Sequence, residues 1–175
     1  MRHVVGWIAA IAVCGTGSAA HAGGLFGGVL AHDMKTGITR SGIEDGVDFH
    51  LGYRGDPFFT SKWAPSPYVF AAVNSAGDTN FAAAGLSWRF GNRLYVRPGV
   101  GLAIHDGPAS VAPGQERIDF GSRILFEPEV ALGYRVNDRL SVEASWVHLS
   151  HARLFSDNNP GMDTIGVRLN YRFGE

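Results

Sequence analysis

The sequence predicts an all-β protein, an eight-stranded antiparallel transmembrane β-barrel of the bacterial outer membrane. Three observations carry that prediction. Apolar residues alternate at period two along segment after segment, charged residues occupy the opposite positions, and the connections differ sharply in length.

The first residues, MRHVVGWIAAIAVCGTGSAAHA, read as a cleavable signal peptide over 1–22, and the barrel is assigned to 23–175. Arg2 gives the positive start, Val4 to Cys14 the apolar core, and Ala20-His21-Ala22 the small-x-small cleavage pattern. That apolar run is short of the roughly 20 residues a spanning helix needs. The single cysteine, Cys14, falls in this leader, so no disulfide is expected after it. Without Arg2, fourteen basic residues face sixteen acidic ones, a balance that points to no nucleic-acid partner.

Eight strands follow in order. Phe26 to Asp33 and Pro67 to Ser75 read as strands of uncertain facing. Val47, Phe49, Leu51 and Tyr53 share a face, as do Ala82, Ala84, Leu86, Trp88 and Phe90. Longer alternations run from Leu94 to Ile104, Ile124 to Tyr134, Leu140 to Trp146 and Ile165 to Phe173. Several reach the roughly 10 residues that cross a bilayer at a tilt. Trp63, Trp88, Trp146, Tyr95, Tyr134, Tyr171 and Phe173 fall mostly near strand ends, where interfacial aromatic girdles belong.

A soluble two-sheet sandwich also alternates. Here, however, Gly91-Asn92 and Asn137-Asp138 mark tight turns, while His105–Asp119 and His151–Met162 are long loops. Short turns on one side and long loops on the other are the outer-membrane pattern. The long Gly55–Ser66 and short Asn74–Asp78 connections run against it. In so narrow a barrel side chains fill the lumen, so Arg123, Glu127, Glu129, Glu143 and Arg168 are expected to pair there as a structural network.

Barrel parity singles out the segment 145–163. Leu140, Val142, Ala144 and Trp146 face lipid, so His148 and Ser150 share the outer wall. Asp163 has the parity of Ile165, Val167 and Leu169, which places it on the same wall of the next strand. With both termini in the periplasm, this end of the strands lies at the outer leaflet. Interfacial polar residues are inexpensive there, and that plain reading stands beside a Ser-His-acid set. His32 and Asp33 become neighbours of Asp163 if first and last strands pair. His105, Asp106 and Glu116 read as a solvated loop rather than a metal site, and neither metal nor cofactor is called for.

The stretch HLSHARLFSDNNPGMD resembles the active-site segment of outer-membrane lipid A 3-O-deacylases. The resemblance implies His148 as base, Ser150 as nucleophile and Asp163 as the acid, with Asn159 and Gly161 in the matching loop element. His151 stands where the family carries asparagine, and Asp163 stands where it carries glutamate. His151 and Asn159 are then candidates for oxyanion or supporting roles. The implied activity is hydrolysis of the 3-O-linked acyl ester of lipid A in lipopolysaccharide, at the outer leaflet of the bilayer. A non-catalytic structural or ligand-binding barrel, an esterase for another envelope lipid, and a homodimer are left open by the residues.

Overall fold

The computed structural model describes residues 23–39, 42–108, 111, 116–154 and 159–174. The leader assigned to 1–22 lies outside them. Nine strand segments follow the chain: β1 (Gly24–Ala31), β2 (Val47–Arg54), β3 (Ser66–Asn74), β4 (Phe81–Ser87), β5 (Phe90–Gly91), β6 (Leu94–His105), β7 (Ile124–Arg135), β8 (Leu140–Leu149) and β9 (Met162–Arg172). Each pairs antiparallel with its neighbours, and β1 closes on β9 from Gly24↔Arg172 to Ala31↔Ile165. β5 continues β4 along β6, past a break at Trp88-Arg89, so the nine segments make eight staves of one closed barrel.

Closure decides between the two sheet architectures. Outward positions such as Val29, Leu51, Val73, Leu102, Leu132 and Val167 are exposed around the whole circumference. An apolar belt that surrounds a chain has no place in water, where exposed patches rarely exceed a few hundred Å². In a bilayer it is the lipid-facing surface.

The lumen is divided along its axis. Towards the extracellular end Leu30, Phe70, Phe81, Leu125, Leu149 and Met162 form an apolar plug. Ile118 and Phe120 reach into that plug from the β6–β7 connection. Beneath it lie buried charges. Arg168 donates to Glu129 at 2.6 Å and contacts His50 at 3.1 Å, its guanidinium also lying over Phe26 and Phe70. Arg54 reaches Glu129, Tyr68 donates to Glu127, and Arg97 and Tyr95 donate to Glu143 at 2.8 Å each. Unpaired, these charges would cost several kcal/mol apiece in such an interior. Room for them comes from inward glycines. A Cβ on Gly28 would sit 2.7 Å from Arg168 Cγ, and one on Gly99 2.7 Å from Glu129 Cγ.

Arg123 does not belong to this network. β7 begins one residue later, so Arg123 is exposed and donates to the Gly107 carbonyl at 2.5 Å. The long β2–β3 connection also has a physical account. Trp63 packs edge-on against Phe90, and Phe58, Phe59 and Trp63 are exposed. Aromatics at the terminal end of the barrel suit the headgroup level, where amphipathic rings are favoured.

Candidate active site

The last two strands build the site. Antiparallel register places His148 directly opposite Asp163, one pair from the end of the β8–β9 ladder. Facing residues in such a pair hold their Cβ atoms about 5 Å apart. The side chains meet: His148 Nδ1 lies 2.7 Å from Asp163 Oδ1. Since a carboxylate only accepts, this contact puts a proton on Nδ1 and leaves Nε2 as the imidazole's second working atom.

Both residues keep the outward parity of their strands, yet neither is open to the surroundings. Asp163 is wholly buried and His148 is 9% exposed. Trp146, two residues before His148 on the same wall, stacks against its ring at 5.8 Å between centroids. The first extracellular loop covers Asp163. Met34 N–H donates to the Asp163 carbonyl at 2.7 Å, and the Thr36 hydroxyl donates to Asp163 Oδ2. Both carboxylate oxygens are therefore engaged, one by the imidazole and one by Thr36.

The loop over Asp163 is held from within. Asp33 adopts a left-handed backbone, and its Oδ2 accepts N–H bonds from Gly42, Ile43 and Glu44. His32, just before it, is enclosed between Asp48 Oδ1 at 2.8 Å and Glu44 Oε2 at 3.1 Å. Burial opposes charge on His32, but these two carboxylates outweigh it and raise its pKa to about 9. Burial likewise opposes the Glu44 charge, which His32, Arg117, the Ile118 amide and Thr79 stabilise, lowering its pKa to about 2. His32 and Asp33 thus anchor the loop, while Met34 and Thr36 touch Asp163.

Ser150 follows the end of β8, on the same side as His148, and is half-buried. Its backbone bridges to Phe126, N–H to carbonyl at 3.1 Å and carbonyl to N–H at 2.7 Å. Among the described residues its hydroxyl makes no hydrogen bond to His148. His151 is fully buried, and its N–H donates to Asn159 Oδ1 at 3.1 Å. Ala152 and Arg153 then take positive φ, a left-handed pair that turns the chain away from the strand. Asn159 therefore fixes the backbone just after Ser150.

Gly161 closes the loop against the histidine. Its φ is +68°, and a Cβ there would lie 3.1 Å from His148 Cε1. At the far end of the sixth strand, His105 Nε2 donates to the Ser122 carbonyl at 2.7 Å and Asp106 accepts from Asn80. His105 and Asp106 are thereby committed to loop contacts, and Glu116 is exposed. Thr36 is the residue the sequence did not offer. It stands 127 positions from Asp163, and only the pairing of first and last strands brings its loop there.

A closed antiparallel barrel with a lipid-facing belt defines the class: this is an outer-membrane β-barrel protein. The Lipid A 3-O-deacylase (PagL) family matches residues 47–172, and the chain belongs to that family. Among solved structures it is similar to one described as "Crystal structure of the outer membrane enzyme PagL". The identity is 18% and the TM-score 0.65, over 86% of this chain and 99% of that one. It also resembles the outer membrane protein Ail of Yersinia pestis in a phospholipid bilayer nanodisc. There the identity is 15% and the TM-score 0.45, over 86% of this chain and 99% of the other. A comparison with curated proteins finds no match. The family is one of ester hydrolases acting on lipid A.

Proposed function

We propose that this chain hydrolyses the 3-O-linked acyl ester of lipid A with Ser150 as nucleophile, His148 as general base and Asp163 as the group that orients His148. The observation that carries the reading is the His148 Nδ1–Asp163 Oδ1 contact on the lipid-facing register, with Ser150 two residues further along the same wall. Unlike His32, whose two ring nitrogens both meet carboxylates, His148 meets a carboxylate at Nδ1 only. Residues two apart on a strand are separated by about 6.6 Å, a span that a serine rotor and an imidazole ring bridge between them. In catalytic sites that bond often tightens only once substrate is bound.

Ser150 Oγ attacks the ester carbonyl while His148 Nε2 takes its proton. The tetrahedral intermediate collapses, and His148 returns the proton to the departing sugar 3-hydroxyl. Water then attacks the acyl-serine, again deprotonated by His148, and releases a hydroxylated fatty acid with Ser150 restored. Asp163 stabilises the imidazolium formed at each stage, a task worth about 10⁴-fold in comparable triads. The His151 amide already serves Asn159, so these two residues shape the turn after Ser150 rather than supply a free oxyanion donor from that amide. All three acting side chains come from one chain, so the reaction asks for no second copy.

The test is covalent trapping. An alkyl fluorophosphonate should label the folded protein at Ser150, and peptide mass mapping identifies the site. Labelling should vanish in Ser150→Ala and slow by about three orders of magnitude in His148→Asn. Labelling elsewhere in a folded barrel, or equal labelling of Ser150→Ala, would overturn the assignment. Hydrolysis of a glycerophospholipid ester at the same rate as lipid A would instead favour a broader envelope-lipid esterase.

A further inference from the structure

At the end of the barrel that holds the termini and short turns, the lumen opens into a cavity of about 640 Å³. Arg54, Arg89, Arg97, Arg135, Arg139 and Arg172 line it, against the carboxylates of Asp56 and Asp138. Two of these arginines are balanced locally: Arg97 by Glu143 at 2.8 Å and Arg172 by Asp56 at 3.2 Å. Arg54 shares Glu129 with Arg168. Among the described residues Arg89, Arg135 and Arg139 have no carboxylate partner. Arg89 instead lies over the Tyr95 ring at 3.9 Å and donates to the Asn92 carbonyl.

The wall also carries buried N–H donors without acceptors. They are Arg54 Nε, on a side chain only 8% exposed, Arg89 Nε and Asn170 Nδ2. A buried donor left unmade costs roughly 1–3 kcal/mol, and like charges gathered in a low-dielectric mouth add repulsion. One bound species relieves both: an anion with several oxygens and more than one negative charge. Guanidinium forks match phosphate oxygens two at a time, which makes arginine the usual partner of that group.

We propose that this periplasmic vestibule is a binding site for a phosphate-bearing anion, separate from the esterase site. The apolar plug of Leu30, Phe70, Ile118, Phe120 and Leu125 lies between the two, so the ligand enters from the periplasmic side. Bound there, it would tie the lower ends of β2, β4, β7 and β9 together across the mouth.

The probe is inorganic pyrophosphate, titrated calorimetrically into the full folded chain in zwitterionic detergent. Saturable binding that weakens steeply with added salt is expected. Arg135→Gln combined with Arg139→Gln removes two charges from half-exposed and exposed positions, leaving the buried network intact, and should weaken binding at least tenfold. Arg89→Gln, made separately, should weaken it severalfold. Deacylation should be unchanged in both variants. Absence of saturable binding by the parent, or undiminished binding by the folded double variant, would overturn the site. In nanodiscs of phosphatidylcholine, displacement of bound pyrophosphate by added phosphatidic acid would assign the natural ligand to a lipid headgroup. Retention would assign it to a soluble phosphate.

Discussion

Thr36, in the first extracellular loop, donates its hydroxyl hydrogen bond to Asp163, the second residue of the last strand. That bond ties the first loop to the carboxylate that holds His148. A hydrogen bond to a charged acceptor contributes about 1.5–3 kcal/mol. Thr36→Val should therefore lower kcat about tenfold or more and leave KM nearly unchanged, with Thr36→Ser restoring most of the rate. Steady-state kinetics on the refolded barrel check this. A Thr36→Val enzyme with parental kcat would show that Asp163 needs no such support.

Asp163→Asn keeps the size of the side chain and removes its charge. The amide cannot stabilise an imidazolium, and it can present the wrong atom to Nδ1. A fall of about 10³–10⁴ in kcat is expected, with the far-ultraviolet circular dichroism of the barrel retained. A fall below tenfold would mean that Asp163 does not orient the base.

Gly161 lies where the loop returns to β9, with φ at +68° and the His148 ring 3.1 Å from where a Cβ would stand. Left-handed backbone costs a non-glycine residue roughly 1 kcal/mol, and the contact pushes on the imidazole itself. Gly161→Ala should reduce kcat by an order of magnitude while lowering barrel stability by only about 1–2 kcal/mol. Denaturant titration and kinetics on one preparation separate the two effects. Loss of stability without loss of rate would contradict the placement.

The anchor of the first loop predicts a pH window. His32 has its pKa raised from 6.5 to about 9, so its contribution is complete below 6.5 and is lost as pH rises through 9. Glu44 has its pKa lowered from 4.5 to about 2, so its contribution is complete above 4.5 and is lost as pH falls through 2. Between 4.5 and 6.5 both are in full effect. Amide exchange at Gly42, Ile43 and Glu44, corrected for intrinsic rates, should show greatest protection in that window and a decline above 6.5. The His32→Asn variant should lose the upper limb of this dependence. Protection that increases from pH 6.5 to 9 in the parent would contradict the ion-paired state of His32.

The barrel was legible because lipid on one side and a packed lumen on the other force a strict period of two. Leu94 to Ile104 and Ile124 to Tyr134 display it without interruption. The same period placed His148 and Asp163 on one wall, and the register confirms that they face each other. What periodicity does not encode is loop geometry. Thr36 reaches Asp163 only because β1 pairs with β9 and Asp33 gathers three amides to fold the loop. The same limit hid Ile118 and Phe120, loop residues that become core. It also misplaced Arg123, whose parity fits β7 although the strand starts at Ile124.

Mass spectrometry of lipid A from cells producing this protein, beside cells producing Ser150→Ala, tests the central claim most directly. The account predicts loss of one hydroxyacyl chain with the parent and unmodified lipid A with the variant, both barrels being folded in the outer membrane. Equal loss of the chain with both proteins would contradict Ser150 as the nucleophile, and loss with neither would contradict lipid A as the substrate.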